Sequence, residues 1–256
     1  MISLRQAMAG EGVDLSEDVS VLKRLFGFIT SRVPKDPDTS VTASVSVRQM
    51  IDDHDVDHIH LNVIRVGLDI VSSDSDEWLP RLDYGVYRMQ NIFRPHGIGI
   101  RSMHWLIPWS PENDFDVIDS ESEAKDLWRS YSVDNDGIDA FVVINILRRA
   151  DLSGVAPHGD CEKGTRNDGL LAGYIDRDDE GFARTFAHEI GHFLGLDHTH
   201  GKNNCPDTDA ERRNLMTQSD CVPLIPGTSS RDVRNSVRLT ADQVATMKRH
   251  CSIRRH

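Results

Sequence analysis

Eleven residues constrain this chain more than any others: His188-Glu189-Ile190-Gly191-His192-Phe193-Leu194-Gly195-Leu196-Asp197-His198. They read H-E-x-x-H-x-x-G-x-x-H. Residues four apart on a helix share a face, so His188 and His192 can reach one cation. Glu189 stands beside them, placed to handle a proton on a metal-bound water. A glycine can take a positive φ and end the helix, so Gly195 lets the chain turn back and bring His198 round as a third ligand. Three protein ligands with a fourth position open is the pattern of a catalytic zinc, not a structural one. With this composition the five fixed positions arise by chance in about one chain in ten thousand. A buried helix that merely carries histidines explains neither the glycine nor the third histidine.

The rest of the chain must supply a scaffold for that helix. At 256 residues it fits one large domain, or one domain with an extension, and can bury a core without staples. The apolar run Phe141–Ile144 is broken at Asn145, and no segment is long enough to span a membrane. The net charge of −12 argues against a nucleic-acid partner. It mildly favours cationic substrates, though an acidic surface kept for solubility explains it equally well. Nothing in the sequence calls for a partner subunit, so a monomer is expected.

All four cysteines, Cys161, Cys205, Cys221 and Cys251, lie around the histidine motif in the second half. The even count suggests two disulfides: Cys205–Cys221 is the natural short pairing, which leaves Cys161–Cys251. Cys205 and Cys221 could instead be metal ligands, but no C-x-x-C spacing supports that. Disulfides imply an oxidising compartment. Met1–Gly10 shows no basic start followed by an apolar stretch, so no signal peptide is visible. An extracellular protein, or one delivered outside the cell by another route, reconciles the two. Thiols kept reduced in the cytoplasm are the alternative.

Residues 1–57 read as an N-terminal extension: a polar lead, a helix over Glu17–Val33 and a half-exposed strand over Val41–Val47. The extension is either an inhibitory or targeting segment or an extra helix and strand packed on the core. The ligand-rich run Asp52–His60 is a second metal site or, more simply, a solvated acidic loop entering a strand. Periodicity then gives a strand at Ile59–Val66, a helix at Glu77–Arg94 stopped by Pro95 and Gly97, and a strand at Ile98–Ile107. A short helix at Glu121–Tyr131, a turn at Asp134–Gly137 and a buried strand over Ala140–Leu147 follow. Leu170–Ile175 reads as a short strand and Glu180–Leu194 as the motif helix, burying Phe182, Phe186 and Ile190 or Phe193. After His198 no regular pattern appears until the capped helix at Thr240–Cys251. Strand, helix, strand, helix, strand is the order of a mostly parallel α/β sheet with helical crossovers.

The motif, followed by Met216 in Asn214-Leu215-Met216-Thr217, resembles the metzincin clan of zinc metallopeptidases. His198-Thr199 with Cys205, Pro206, Asp207, Thr208 and Asp209, and the closing Leu239–Met247, is most similar to the pappalysin group. The resemblance is sharp over residues 181–251 and rests only on element order from 58 to 176. It implies a catalytic domain over 58–256. An upper part to about residue 195 would hold a twisted, mostly parallel sheet with a backing helix, an active-site helix and an antiparallel edge strand at the cleft. An irregular lower part would end in a helix. It implies one zinc on His188, His192 and His198, Glu189 as general base and Met216 as a floor beneath the metal. Asp207 and Asp209 become candidate calcium ligands. His200 is a rival to His198, disfavoured by its spacing from Gly195. The implied activity is endopeptidase cleavage of a protein or peptide lying along an edge strand within 152–176. Pro223–Gly227 would shape the pocket beyond the scissile bond. The rivals are an inactive metal- or protein-binding module on the same scaffold and a delivered proteolytic effector.

Overall fold

The computed structural model describes residues 55–66, 75–106, 115, 117–146, 154–173, 178–201 and 205–255. The helix and strand expected within residues 1–54 lie outside them. Five strands form the central sheet: β1 (Asp57–Arg65), β2 (Ile98–Leu106), β4 (Ile138–Val143), β6 (Gly154–Val155) and β7 (Leu170–Gly173). Their order is β2-β1-β4-β7-β6. The first four neighbours pair in parallel, and β6 runs antiparallel to β7 at the edge.

The period of two along each strand sorts side chains to two faces. Ile59, Leu61, Val63, Ile138, Ala140, Val142, Leu170 and Ala172 face one apolar core. That core includes α1 (Ser75–Phe93), through Leu82, Val86, Met89 and Phe93, and α3 (Asp179–Phe193), through Phe182, Phe186, Ile190 and Phe193. Ile64, Phe141, Val143 and Leu171 face a second core with Leu127 and Trp128 of α2 (Glu121–Tyr131). Covering on both faces explains why β4 is apolar without alternation.

The stop signals act as expected. Pro95 opens a short 3-10 turn over Arg94–His96, and Gly97 then takes the left-handed φ of 69° while donating its N–H to Arg94 O at 2.9 Å. Ser120 caps α2 by accepting the N–H of Glu123 at 3.2 Å.

Two expectations change. The run Ala140–Leu147 is not one strand: β4 ends at Val143, where its pairing with β7 ends at Gly173. Past that point the chain bends at Ile144, and β5 (Asn145–Ile146) pairs with β3 (Val117–Ile118) in a separate two-stranded sheet. The stretch after His198 is also not featureless. Thr208 and Glu211 form a capping box around a single helical turn, α4 (Asp209–Arg212). The final helix, α5 (Ala241–Arg249), carries a second capping box from Thr240 and Gln243.

Disulfides join Cys161 to Cys251 and Cys205 to Cys221. The loop between β6 and β7, which holds Cys161, is also pinned by charge. Lys163 Nζ bonds Asp139 Oδ2 at 2.8 Å and pairs with Asp168 Oδ1 at 3.2 Å, both carboxylates being buried. Among the described residues no helix is long and apolar enough to cross a membrane.

Candidate active site

Every element of the site begins with α3. Asp178 caps it by accepting the N–H of Gly181 at 2.7 Å, and Asp179 and Glu180 sit where the helix dipole favours negative charge. The helix ends as the motif requires. Gly195 takes φ 90° and donates its N–H to His192 O at 2.8 Å, and Leu196 N–H reaches back to Gly191 O at 3.0 Å. The reversal carries His198 back over the helix face.

There the three imidazoles converge. His192 Nε2 lies 3.0 Å from both His188 Nε2 and His198 Nε2, and the last two are 3.1 Å apart. His188 Nδ1 donates to Leu215 O at 2.7 Å, and His192 Nδ1 donates to Leu196 O at 2.6 Å. A carbonyl can only accept, so both protons are on Nδ1 and both Nε2 lone pairs are bare. Lone pairs aimed at one another repel unless a cation sits among them. Tetrahedral zinc with Zn–N of about 2.0–2.1 Å sets its ligand atoms about 3.3–3.4 Å apart, close to the triangle seen. Burial also favours the neutral imidazoles a metal needs. It lowers His188 well below its usual range, His192 to about 4, and His198 as well, with neighbouring positive charge adding to each. The donor set therefore fits zinc.

Glu189 is only 5% exposed. Burial pushes its carboxyl up to about 8, and the charge of Arg184 opposes the shift. The edge strand passes directly over it: a Cβ built on Gly154 would lie 2.5 Å from Glu189 Oε1. Met216 is fully buried and packs on Gly191 between the two helix histidines, where an added Cβ would come 2.6 Å from its sulfur. Its carbonyl accepts the N–H of Thr199 at 3.1 Å. In the segments that follow in sequence, Cys205, Arg212, Asp220, Pro223, Leu224 and Arg231 line a cavity of about 350 Å³. Among the described residues, Leu224, which lines it, and its neighbour Ile225 are the large apolar side chains left exposed.

Among the described residues the three histidines are the one group able to hold a metal ion. Asp207 and Asp209 are exposed and join no such group, and Asp209 pairs with Arg212 at 3.7 Å. His200 stands beside the triangle, its ring 6.2 Å from that of His198. Within the Asp52–His60 run, His58 and His60 stack on each other, and His60 Nδ1 pairs with Asp136 at 2.7 Å. The described part of that run, residues 55–60, forms no second metal group, and Asp52, Asp53 and His54 lie outside the described residues. Sequence reasoning missed Gly154 and Arg184, and only Arg184 carried a signal: a charge one helical turn before His188.

Residues 108–199 match the model of metallo-peptidase family M12B, reprolysin-like. That stretch is metallopeptidase-like. It runs through β4, the edge strand and α3 to the residue after His198. No curated protein sequence matches the chain. Among solved structures, metalloproteinase-II from Bacteroides fragilis is similar with 13% identity and a TM-score of 0.48. The match covers 76% of this chain and 53% of that one, so this chain spans about half the length of that relative. A chaperone–substrate complex is similar at 15% identity and a TM-score of 0.40, over 58% of this chain and 26% of that one.

Proposed function

We propose that the protein is a metzincin-like zinc endopeptidase that hydrolyses peptide bonds in proteins or peptides. The observation that carries this is the triangle of bare imidazole nitrogens with a buried carboxyl beside it on the same helix. His188, His192 and His198 would hold the metal, with Met216 as the floor. Zinc bound there supplies a Lewis acid that polarises the scissile carbonyl and makes water acidic near neutral pH. Glu189 takes the proton of the attacking water and passes it to the leaving amine. The substrate lies extended along β6, the strand at the edge of the described sheet, and adds to it by β-augmentation. Pro223 and Leu224, in the segment after Met216, line a cavity that takes the side chain beyond the scissile bond.

The segment Cys205–Asp209 and the last helix support a place near the pappalysin group within that clan. Two disulfides support an oxidising, extracellular setting. The deciding variant is Glu189→Ala. It keeps one zinc per chain by metal analysis and loses proteolysis. Cleavage of a protein substrate by that variant would remove Glu189 from the role of base. A peptide-library profile of the native protein then reads the specificity.

A further inference from the structure

The middle of α3 is buried on every side, and one of its buried residues is charged. Arg184 is 4% exposed and stands one turn before His188 on the same face. Its Nε donates to Ser236 O at 2.9 Å, and its Nη2 donates to Leu215 O at 3.0 Å and to Thr217 O. Leu215 O is the carbonyl that also receives the Nδ1 proton of His188. The next carbonyl, Met216 O, receives the N–H of Thr199, the neighbour of His198. Thr199 Oγ1 in turn meets Thr217 Oγ1 at 2.8 Å. Three successive carbonyls, from residues 215 to 217, thus face Arg184, His188 and the segment carrying His198.

We propose that Arg184 is the positioning residue of the three-histidine centre. Its guanidinium sets the backbone of residues 215–217, and that backbone orients His188 and the segment of His198. The inference rests on the metal-site reading of those histidines. A planar fork can address carbonyls from two distant segments at once; an ammonium group on a flexible stem cannot hold the same three. Toward the metal, charge does not explain the residue. A fixed positive group near a divalent cation repels it, so the charge opposes metal binding while the geometry favours it. Zinc ligands whose outer partners are lost bind metal about 10–100-fold more weakly.

Arg184→Lys separates the two effects, because it keeps the charge and drops the fork. Zinc-free protein is titrated with zinc against a chromophoric chelator, and the cobalt(II)-loaded form is read by its visible absorption. The variant is expected to bind zinc about 10–100-fold more weakly than the native protein, with an altered cobalt spectrum. Native affinity with an unchanged spectrum overturns the proposal, because a residue needed only for folding leaves the folded centre intact. Should the variant not fold, the zinc-free native protein is read instead by NMR. The Arg184 Nε–H is expected to be protected from exchange before zinc is added and to stay where it is afterwards. Free exchange until zinc arrives overturns the proposal. Affinity is read apart from turnover. A native protein that binds zinc but cuts no peptide ends the peptidase reading and leaves this measurement standing; one that binds no zinc ends both.

Discussion

Gly154→Ala tests how closely the edge strand governs Glu189, the proposed base. A Cβ at this position would lie 2.5 Å from Glu189 Oε1, 2.6 Å from Cγ and 2.7 Å from Cδ. Carbon atoms rest about 3.5–4.0 Å apart, so one partner must retreat by about 1 Å. β6 is held to β7 by the pairs Gly154↔Ala172 and Val155↔Leu171, which alanine preserves, so Glu189 is the part that yields. A displacement of about 1 Å at a reacting group costs about 100-fold in rate, which is about 2.7 kcal/mol in the barrier. The three atoms nearest the new methyl all belong to Glu189, so zinc content should be native. The assay is kcat and KM on a protein-derived peptide, with metal analysis of the same preparation. The expected result is a kcat lowered about 100-fold at full zinc occupancy and little change in KM. Native kcat in the zinc-loaded variant would refute the link between strand and base.

Two further predictions concern stability. Asp83 on α1 is 2% exposed, neither oxygen has a hydrogen-bond partner among the described residues, and burial raises its carboxyl from 3.8 to about 7. The folded state therefore holds an extra proton between those values, and stability falls as pH rises through about 7. The full penalty is about 4 kcal/mol above that pH, and Asp83→Asn should raise Tm at pH 8 much more than at pH 4. Equal gains at both pH values would contradict this. The Cys161–Cys251 bond spans 90 residues, so Cys251→Ser should cost about 4–5 kcal/mol by loop entropy. Denaturant melts of the variant, or of native protein under reductant, measure it, and an unchanged midpoint would exclude the effect.

Legibility in the sequence followed the range of the interactions involved. The α3 motif was readable because its chemistry is set by spacing along one helix and one positive-φ glycine. The disulfide pairing was readable because four cysteines leave few choices. The mostly parallel sheet followed from alternating strands and crossover helices, whereas the order β2-β1-β4-β7-β6 is set by long-range pairing. The break after Val143 was not readable, because it depends on where the partner strand β7 stops. The one-turn helix α4 was missed although Thr208-Asp209-Ala210-Glu211 is a capping-box signature, because no apolar stripe follows it. Gly154 carried no signal at all: its role comes from the approach of a carboxylate 35 residues away in sequence. The same holds for half-buried Lys163 between the buried carboxylates of Asp139 on β4 and Asp168 in its own loop.

The long disulfide has a consequence of connectivity rather than of strength. All three histidines, Glu189 and Met216 lie inside the ring closed by Cys161 and Cys251. A single backbone cut anywhere between those cysteines leaves two segments still joined through sulfur. The smaller ring from Cys205 to Cys221 protects the stretch containing α4 in the same way. For a protein whose proposed chemistry is cutting extended backbone, its own irregular loops are the nearest substrates. The rings mean that one such nick opens a loop without letting the three histidines part.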